Sequence, residues 1–183
     1  MPTPSSKAAP KPVNAIAMLK ADHKVVKGLF DEFENASGKA AKRKIVAKAL
    51  LELKLHAALE EEIFYAAVRK KVGKDIMNEA DEEHHVAKLL IAELESMNGS
   101  EDHWDAKFTV LSENVKHHIK EEEGDMLPKA KEVKIDFEAL GAQMMARKQD
   151  LLKNGFPPVG EEMMVANSHG EGDSPAKAAQ SSS

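Results

Sequence analysis

The chain has 183 residues, no cysteine, and 26 basic against 31 acidic side chains, for a net charge of −5. The missing cysteine excludes disulfides, iron–sulfur clusters and a thiolate nucleophile, and the charge balance carries no nucleic-acid footprint. With 42% hydrophobic residues, no apolar run near the roughly 20 residues of a membrane span and no secretory-signal core in "MPTPSSKAAPKPV", the expectation is a cytoplasmic globular domain with neither nucleic-acid nor membrane partners.

In chain order, residues 1–12 are rich in Pro, Ser, Ala and Lys and read as a disordered tail. From Val13 onward the apolar spacing is helical, with no strand-like alternation. The first predicted helix covers residues 13–36 and stops near "SGK". The second runs over 39–72 and ends at Gly73. The third covers 75–98, closed by Gly99, with Ser100 as the cap of the next. The fourth spans 101–127, where Pro128 ends or kinks it. A shorter fifth, over 136–154, is expected to cover the bundle end. Residues 155–183 hold most of the remaining Pro, Gly and Ser and are read as a second disordered tail, in which His169 has no assigned role. The fold class is therefore all-α: an up-down-up-down four-helix bundle over residues 13–154, with a short fifth C-terminal helix and disordered tails.

Each of the four long helices carries an apolar stripe at alternating steps of three and four. The first two stripes are Ile16, Leu19, His23, Val26, Phe30, Phe33 and Leu53, His56, Glu60, Ile63, Ala67. The next two are Met77, Ala80, His84, Ala87, Ile91, Leu94 and Phe108, Leu111, Val115, His118, Glu122, Met126. Every stripe is broken near its middle by histidine, alone or with glutamate. Register also separates neighbours: His85 lies about 100° round the helix from His84. The same reasoning prefers His118 to His117, and Glu122 to Glu121 and Glu123. Glu61 stays close enough to the inward line to be a reserve candidate. Tyr65, the single tyrosine, packs between helices or contacts the polar layer from outside.

A buried unpaired carboxylate costs several kcal/mol, and these stripes contain no Lys or Arg to balance two of them. Either the imidazoles and carboxylates satisfy one another, or they coordinate metal. Residues i and i+4 lie within about 40° on one helix face, so His56 with Glu60, and His118 with Glu122, can reach one centre. Imidazole and carboxylate without thiolate suit iron, manganese or zinc. Six donors exceed the roughly four of a structural zinc site and fit two metals bridged by the glutamates. A ferritin-like centre would need Glu-x-x-His on two helices. Glu82 and His85 have that spacing off the stripe, and the fourth helix has no such pair.

The segments "LKADHKVVKGLFDEFE", "HAALEEEIFYAA", "EEHHVAKLLIAELE" and "HHIKEEEGDMLP" together resemble the hemerythrin-like, or HHE cation-binding, family over roughly residues 14–130. The resemblance implies two iron ions, non-haem and oxo- or hydroxo-bridged, between antiparallel helices. It puts the ligands on His23, His56, Glu60, His84, His118 and Glu122. Three departures stand out. Where oxygen-carrying hemerythrins have a second histidine in the third helix, this chain has Lys88. Their fourth-helix aspartate, five residues after the histidine, is matched here by Glu122, four after. The family's usual proline after "FY" is Ala66. One ligand fewer implies a more open iron pair that binds or reacts with O2, peroxide or NO in a stress response, with weak catalase-like peroxide decomposition as its enzymatic form. The alternative is iron or oxygen sensing, or storage, without turnover.

Overall fold

The computed structural model describes residues 13–170, with side chains through Ala166. The tail predicted over 1–12, and residues 171–183 of the second, lie outside the described residues. α1 (Ala15–Asn35) begins where Asn14 Oδ1 accepts from the Ile16 and Ala17 N–H groups at 3.0 and 3.3 Å, satisfying donors that the first turn leaves free. α2 (Lys39–Leu59) passes through a π turn (Glu60–Phe64) into α3 (Tyr65–Val72). Gly73, at φ 108°, reverses the chain, a conformation that costs glycine nothing. α4 (Lys74–Ser96) runs back, and α5 (Trp104–Glu121) continues through a second π turn (Glu122–Met126) into α6 (Leu127–Ala130). α7 (Phe137–Asn154) starts at an Asp136 cap, and α8 (Gly160–Gly170) follows.

The architecture is all-α: α1, α2–α3, α4 and α5–α6 form the antiparallel bundle, and no strand occurs among the described residues. No helix of the described residues is long and apolar enough to cross a membrane. Two apolar clusters make the core. One gathers Met18, Leu19, Phe64, Tyr65, Met77, Met126, Leu127 and Met144. The other gathers Val26, Phe30, Phe33, Trp104, Phe108 and Leu111. His23, His56, Glu60, His84, His118 and Glu122 occupy the layer between them, all buried.

Several expectations need correction. The second stripe was drawn through Ile63 and Ala67, but Phe64 and Val68 are the fully buried residues. The π turn inserts one extra residue after Glu60, so everything beyond it rotates by one position. Ser100 does not cap α5. Its N–H, with those of Asn98 and Gly99, is gathered by the Glu101 carboxylate at 2.9 Å each, and the helix starts later, at Trp104. Pro128 does not end the fourth helix. It sits in the first turn of α6, just after the second π turn. There a residue without an N–H is tolerated.

The predicted end cover, α7, instead lies along α1 and α2. A Cβ on Gly141 would stand 1.8 Å from the Val13 carbonyl oxygen, so only glycine permits that crossing. Finally, part of the segment read as a disordered tail is ordered as α8. Its Glu161 meets His85 Nδ1 at 2.9 Å, its Glu162 meets Lys54 Nζ at 3.0 Å, and the helix packs on α4. Composition hid this, because the partners lie more than 70 positions away in the chain.

Candidate metal centre

The polar layer is built by four helices meeting at mid-height. α1 supplies His23 and α4 supplies His84. α2 supplies His56 in its last turn, and the π turn that follows begins with Glu60. α5 repeats the arrangement: His118 lies in its last turn and Glu122 opens the second π turn. At both π turns the backbone bond runs from i to i−5, from the Tyr65 N–H to the Glu60 carbonyl and from the Leu127 N–H to the Glu122 carbonyl.

All six sequence-predicted residues come together. His23 Nε2 lies 3.2 Å from His56 Nε2 and 2.9 Å from Glu122 Oε2. Glu60 Oε2 lies 3.2 Å from His56 Nε2 and 3.3 Å from His84 Nε2, and His84 Nε2 lies 3.2 Å from His118 Nε2. The donor atoms fall into two groups, His23–His56–Glu60–Glu122 and Glu60–His84–His118, which share Glu60.

The outward nitrogens have partners that the sequence reading missed. His23 Nδ1 lies 2.8 Å from Glu123 Oε1, His84 Nδ1 2.9 Å from Glu61 Oε1, and His118 Nδ1 2.7 Å from Glu83 Oε2. Asp22 Oδ2 faces His56 Nδ1 at 3.9 Å, an ion-pair distance too long for a hydrogen bond. Glu61, the reserve candidate, thus stands behind His84 and belongs to neither donor group. A carboxylate only accepts, so the proton of each bonded ring sits on Nδ1 and the Nε2 lone pair points inward. The signal for these partners was present as acidic residues beside each stripe position, but only interhelical packing says which acid meets which imidazole.

Inward lone pairs facing one another at 3.2 Å repel unless a proton or a cation lies between them. Glu60 Oε1 and both oxygens of Glu122 are buried without a hydrogen-bond partner. The short His23–Glu122 approach is close but not aligned with an N–H. Orphaned buried carboxylate oxygens beside bare imidazole nitrogens are the chemistry of a cation site. The donor set fits metal.

Within the layer the charges are shared unevenly. Burial, helped by the neighbouring His56, depresses His23 to about 4. Burial opposes charge on His56 as well, but Glu60, Asp22 and Glu122 outweigh it and raise that imidazole to about 10. Burial, then the Glu60 charge, pushes Glu122 well above the carboxylate range. Glu60 itself is driven well down, because His56 and His84 overcome its desolvation. These are the marks of a cluster sharing protons where a cation would supply the charge.

Tyr65 has its hydroxyl 3.3 Å from Glu60 Oε2 and 3.4 Å from His84 Nε2, so it both packs between helices and touches the layer. Burial, then the Glu60 and Glu122 charges, raises its pKa well above the usual phenol value. Beside the layer, a cavity of about 30 Å³ is walled by Val26, Leu53, Ala57, Ala87, Ile91, Val115 and Ile119 and opens onto the four imidazoles. Asn114 lines it with a buried, unpartnered Oδ1. Lys88 also lines it, with its ammonium held by Glu61 at 3.1 Å and Glu161 at 3.5 Å. His85 and His117 stand outside the layer, with side chains 43% and 59% exposed.

The chain is similar to several known proteins. The chain is 32% identical over 146 residues to the uncharacterized protein Rv2633c of Mycobacterium tuberculosis, covering 76% of this chain and 88% of that one. A DNA nickase of Nostoc sp. is 24% identical over 114 residues, which span 62% of this chain and 32% of that protein. The crystal structure of a hemerythrin HHE cation-binding domain-containing protein from Mycobacterium kansasii, a homolog of Rv2633c, superposes with a TM-score of 0.65 at 25% identity, covering 88% of this chain and 95% of that one. The sequence pattern of the hemerythrin HHE cation-binding domain matches residues 14–130. With that match over most of the described bundle, the chain belongs to the hemerythrin HHE cation-binding family.

Proposed function

We propose that the chain is a non-haem di-iron protein that binds and reacts with O2, peroxide or NO. His23, His56 and Glu122 would hold one iron and His84 and His118 the other, with Glu60 shared between them. The carrying observation is two donor groups joined by one carboxylate, directly beside an apolar cavity with room for a ligand of two or three atoms. When bound, the iron pair supplies redox equivalents and Lewis acidity.

The protein's own groups do the rest. Glu61, Glu83 and Glu123 hold the Nδ1 protons of His84, His118 and His23, which fixes each ring's tautomer and aim. The aliphatic cavity wall excludes bulk water and bulky ligands. Asn114 offers the cavity an amide oxygen with no hydrogen-bond partner. Tyr65 keeps its proton and presents its hydroxyl to Glu60.

The activity that follows is slow dismutation of two peroxide molecules to one O2 and two waters. It is slow because Tyr65 is buried and keeps its proton, and the Lys88 ammonium at the cavity is held by Glu61 and Glu161. That same feature favours the second reading, a sensor or store without turnover. The test is peroxide consumption by iron-loaded protein. Iron-dependent turnover that disappears in Glu60→Ala and Glu122→Ala supports the enzyme, whereas a reversible O2 adduct with no peroxide turnover leaves the sensor or carrier.

A further inference from the structure

Four carboxylates stand behind the four imidazoles, and three of them are neutralised by lysine. Asp22 pairs with Lys148 at 2.9 Å, Glu61 with Lys88 at 3.1 Å, and Glu123 with Lys27 at 3.7 Å. Glu83 is the exception. Among the described residues it has no Lys or Arg partner, and its free oxygen faces outward to His117 Nε2 at 3.5 Å. His117 Nε2 is also 3.1 Å from Glu121 Oε1, one turn further along the same face of α5. The donor atoms of Glu83, His117 and Glu121 converge as a third candidate cation group, at the surface.

Glu83 and Glu121 line a cavity of about 100 Å³ beside α4 and the second π turn, and His117 stands next to both of them. Glu79 and Asp125 add carboxylates to its wall, neither of them ion-paired, and no basic side chain except histidine lines it. Its inner end is formed by His118 and by Glu122, which is 1% exposed and has both oxygens unpartnered. An orphaned buried carboxylate at the inner end, an unneutralised acidic wall and a His–Glu trio at the rim form one continuous gradient toward a cation. The other three flanks present an ammonium, which repels one.

We propose that Glu83, His117 and Glu121 form a docking site for a hydrated divalent cation, and that the cavity behind it is the path by which metal reaches the inner centre. The proposal rests on the reading of the inner centre as a metal site. His117 and Glu121 capture the ion and exchange for part of its water. Glu83, already bonded to His118 through its other oxygen, passes the ion inward to Glu122. The acidic wall raises the local cation concentration.

The test follows anaerobic Co2+ uptake by the full-length apo-protein through its visible absorption, in the wild type and in His117→Ala/Glu121→Gln. The His117 and Glu121 side chains are 59% and 38% exposed, and neither belongs to the inner layer. The expected result is the same final metal content with uptake slowed about tenfold or more, and a salt-sensitive wild-type rate whose salt dependence weakens in the variant. A Lys27→Gln control, on a neutralised flank, should not slow uptake. Equal rates for wild type and double variant overturn the docking site while leaving the inner centre intact. Failure of the wild type to bind Co2+ at all overturns both. Because Glu83 also orients His118, Glu83→Gln serves as a second variant, expected to lower rate and affinity together. An unchanged rate in that variant also overturns the path.

Discussion

Two adjacent histidines occur twice in this chain, and one member of each pair points inward. His84 and His118 are 5% and 6% exposed and face each other through Nε2, whereas His85 binds Glu161 on α8 and His117 faces Glu83 and Glu121. His84→Ala and His118→Ala should therefore abolish stoichiometric iron by elemental analysis, while His85→Ala and His117→Ala should retain nearly all of it at equilibrium. Equal loss from both members of a pair would mean that the layer extends to the surface. The carboxylates behind the rings should matter nearly as much. Glu123→Gln and Glu61→Gln should weaken metal binding about 10- to 100-fold, the usual effect of removing such a partner, measurable by competition with a chelator. His56 and Glu122, whose pKa values are raised, must shed their protons to bind metal, so affinity should rise with pH and uptake should release protons into the buffer.

The helices contribute more than spacing. Each His-x-x-x-Glu pair ends an α-helix and its glutamate opens a π turn, so the same distortion serves both donor pairs. An i to i−5 turn widens the helix by one residue, and the apolar line resumes one position later, at Phe64 and Val68. α7 depends on a close approach: Gly141→Ala places a methyl against the Val13 carbonyl. It should cost about 3 kcal/mol, the upper range for overpacking, in urea unfolding. α8 depends on charge. Glu161 is held by His85 and Lys88, and Glu162 by Lys54. Glu161→Gln should speed amide exchange in α8 while leaving the bundle helices protected. Exchange unchanged throughout would show that Val165 and the apolar contacts of α8 hold it without the ion pairs.

Across the whole molecule, the layer of six buried donors divides the core into two apolar clusters. Metal bound only to the folded chain adds stability with the logarithm of its excess over Kd. That amounts to about 4 kcal/mol at a thousandfold excess, or roughly 10 °C in Tm for a domain of this size. Protein from iron-replete cells should carry about two irons per chain, and chelation should lower Tm by that order. An unchanged Tm would mean that shared protons satisfy the layer unaided, in the pattern of raised His56 and Glu122 and lowered His23 and Glu60.

The sequence by itself determined the helical class, the antiparallel bundle and the six residues of the central layer. A buried stripe at steps of three and four is a local property, and polar residues interrupting it stand out against their own helix. The alternation held along α1, α4 and α5, and on the second helix as far as Glu60. It failed beyond Glu60, because the π turn there adds a residue and leaves no composition mark. Only the tertiary structure decided which acids back the imidazoles, that Glu61 stands behind His84, that Lys88 turns to Glu61 and Glu161, and that residues 160–170 form a helix across α4. Each of these depends on partners distant in the chain, and so on how the helices cross rather than on how any one of them is spaced.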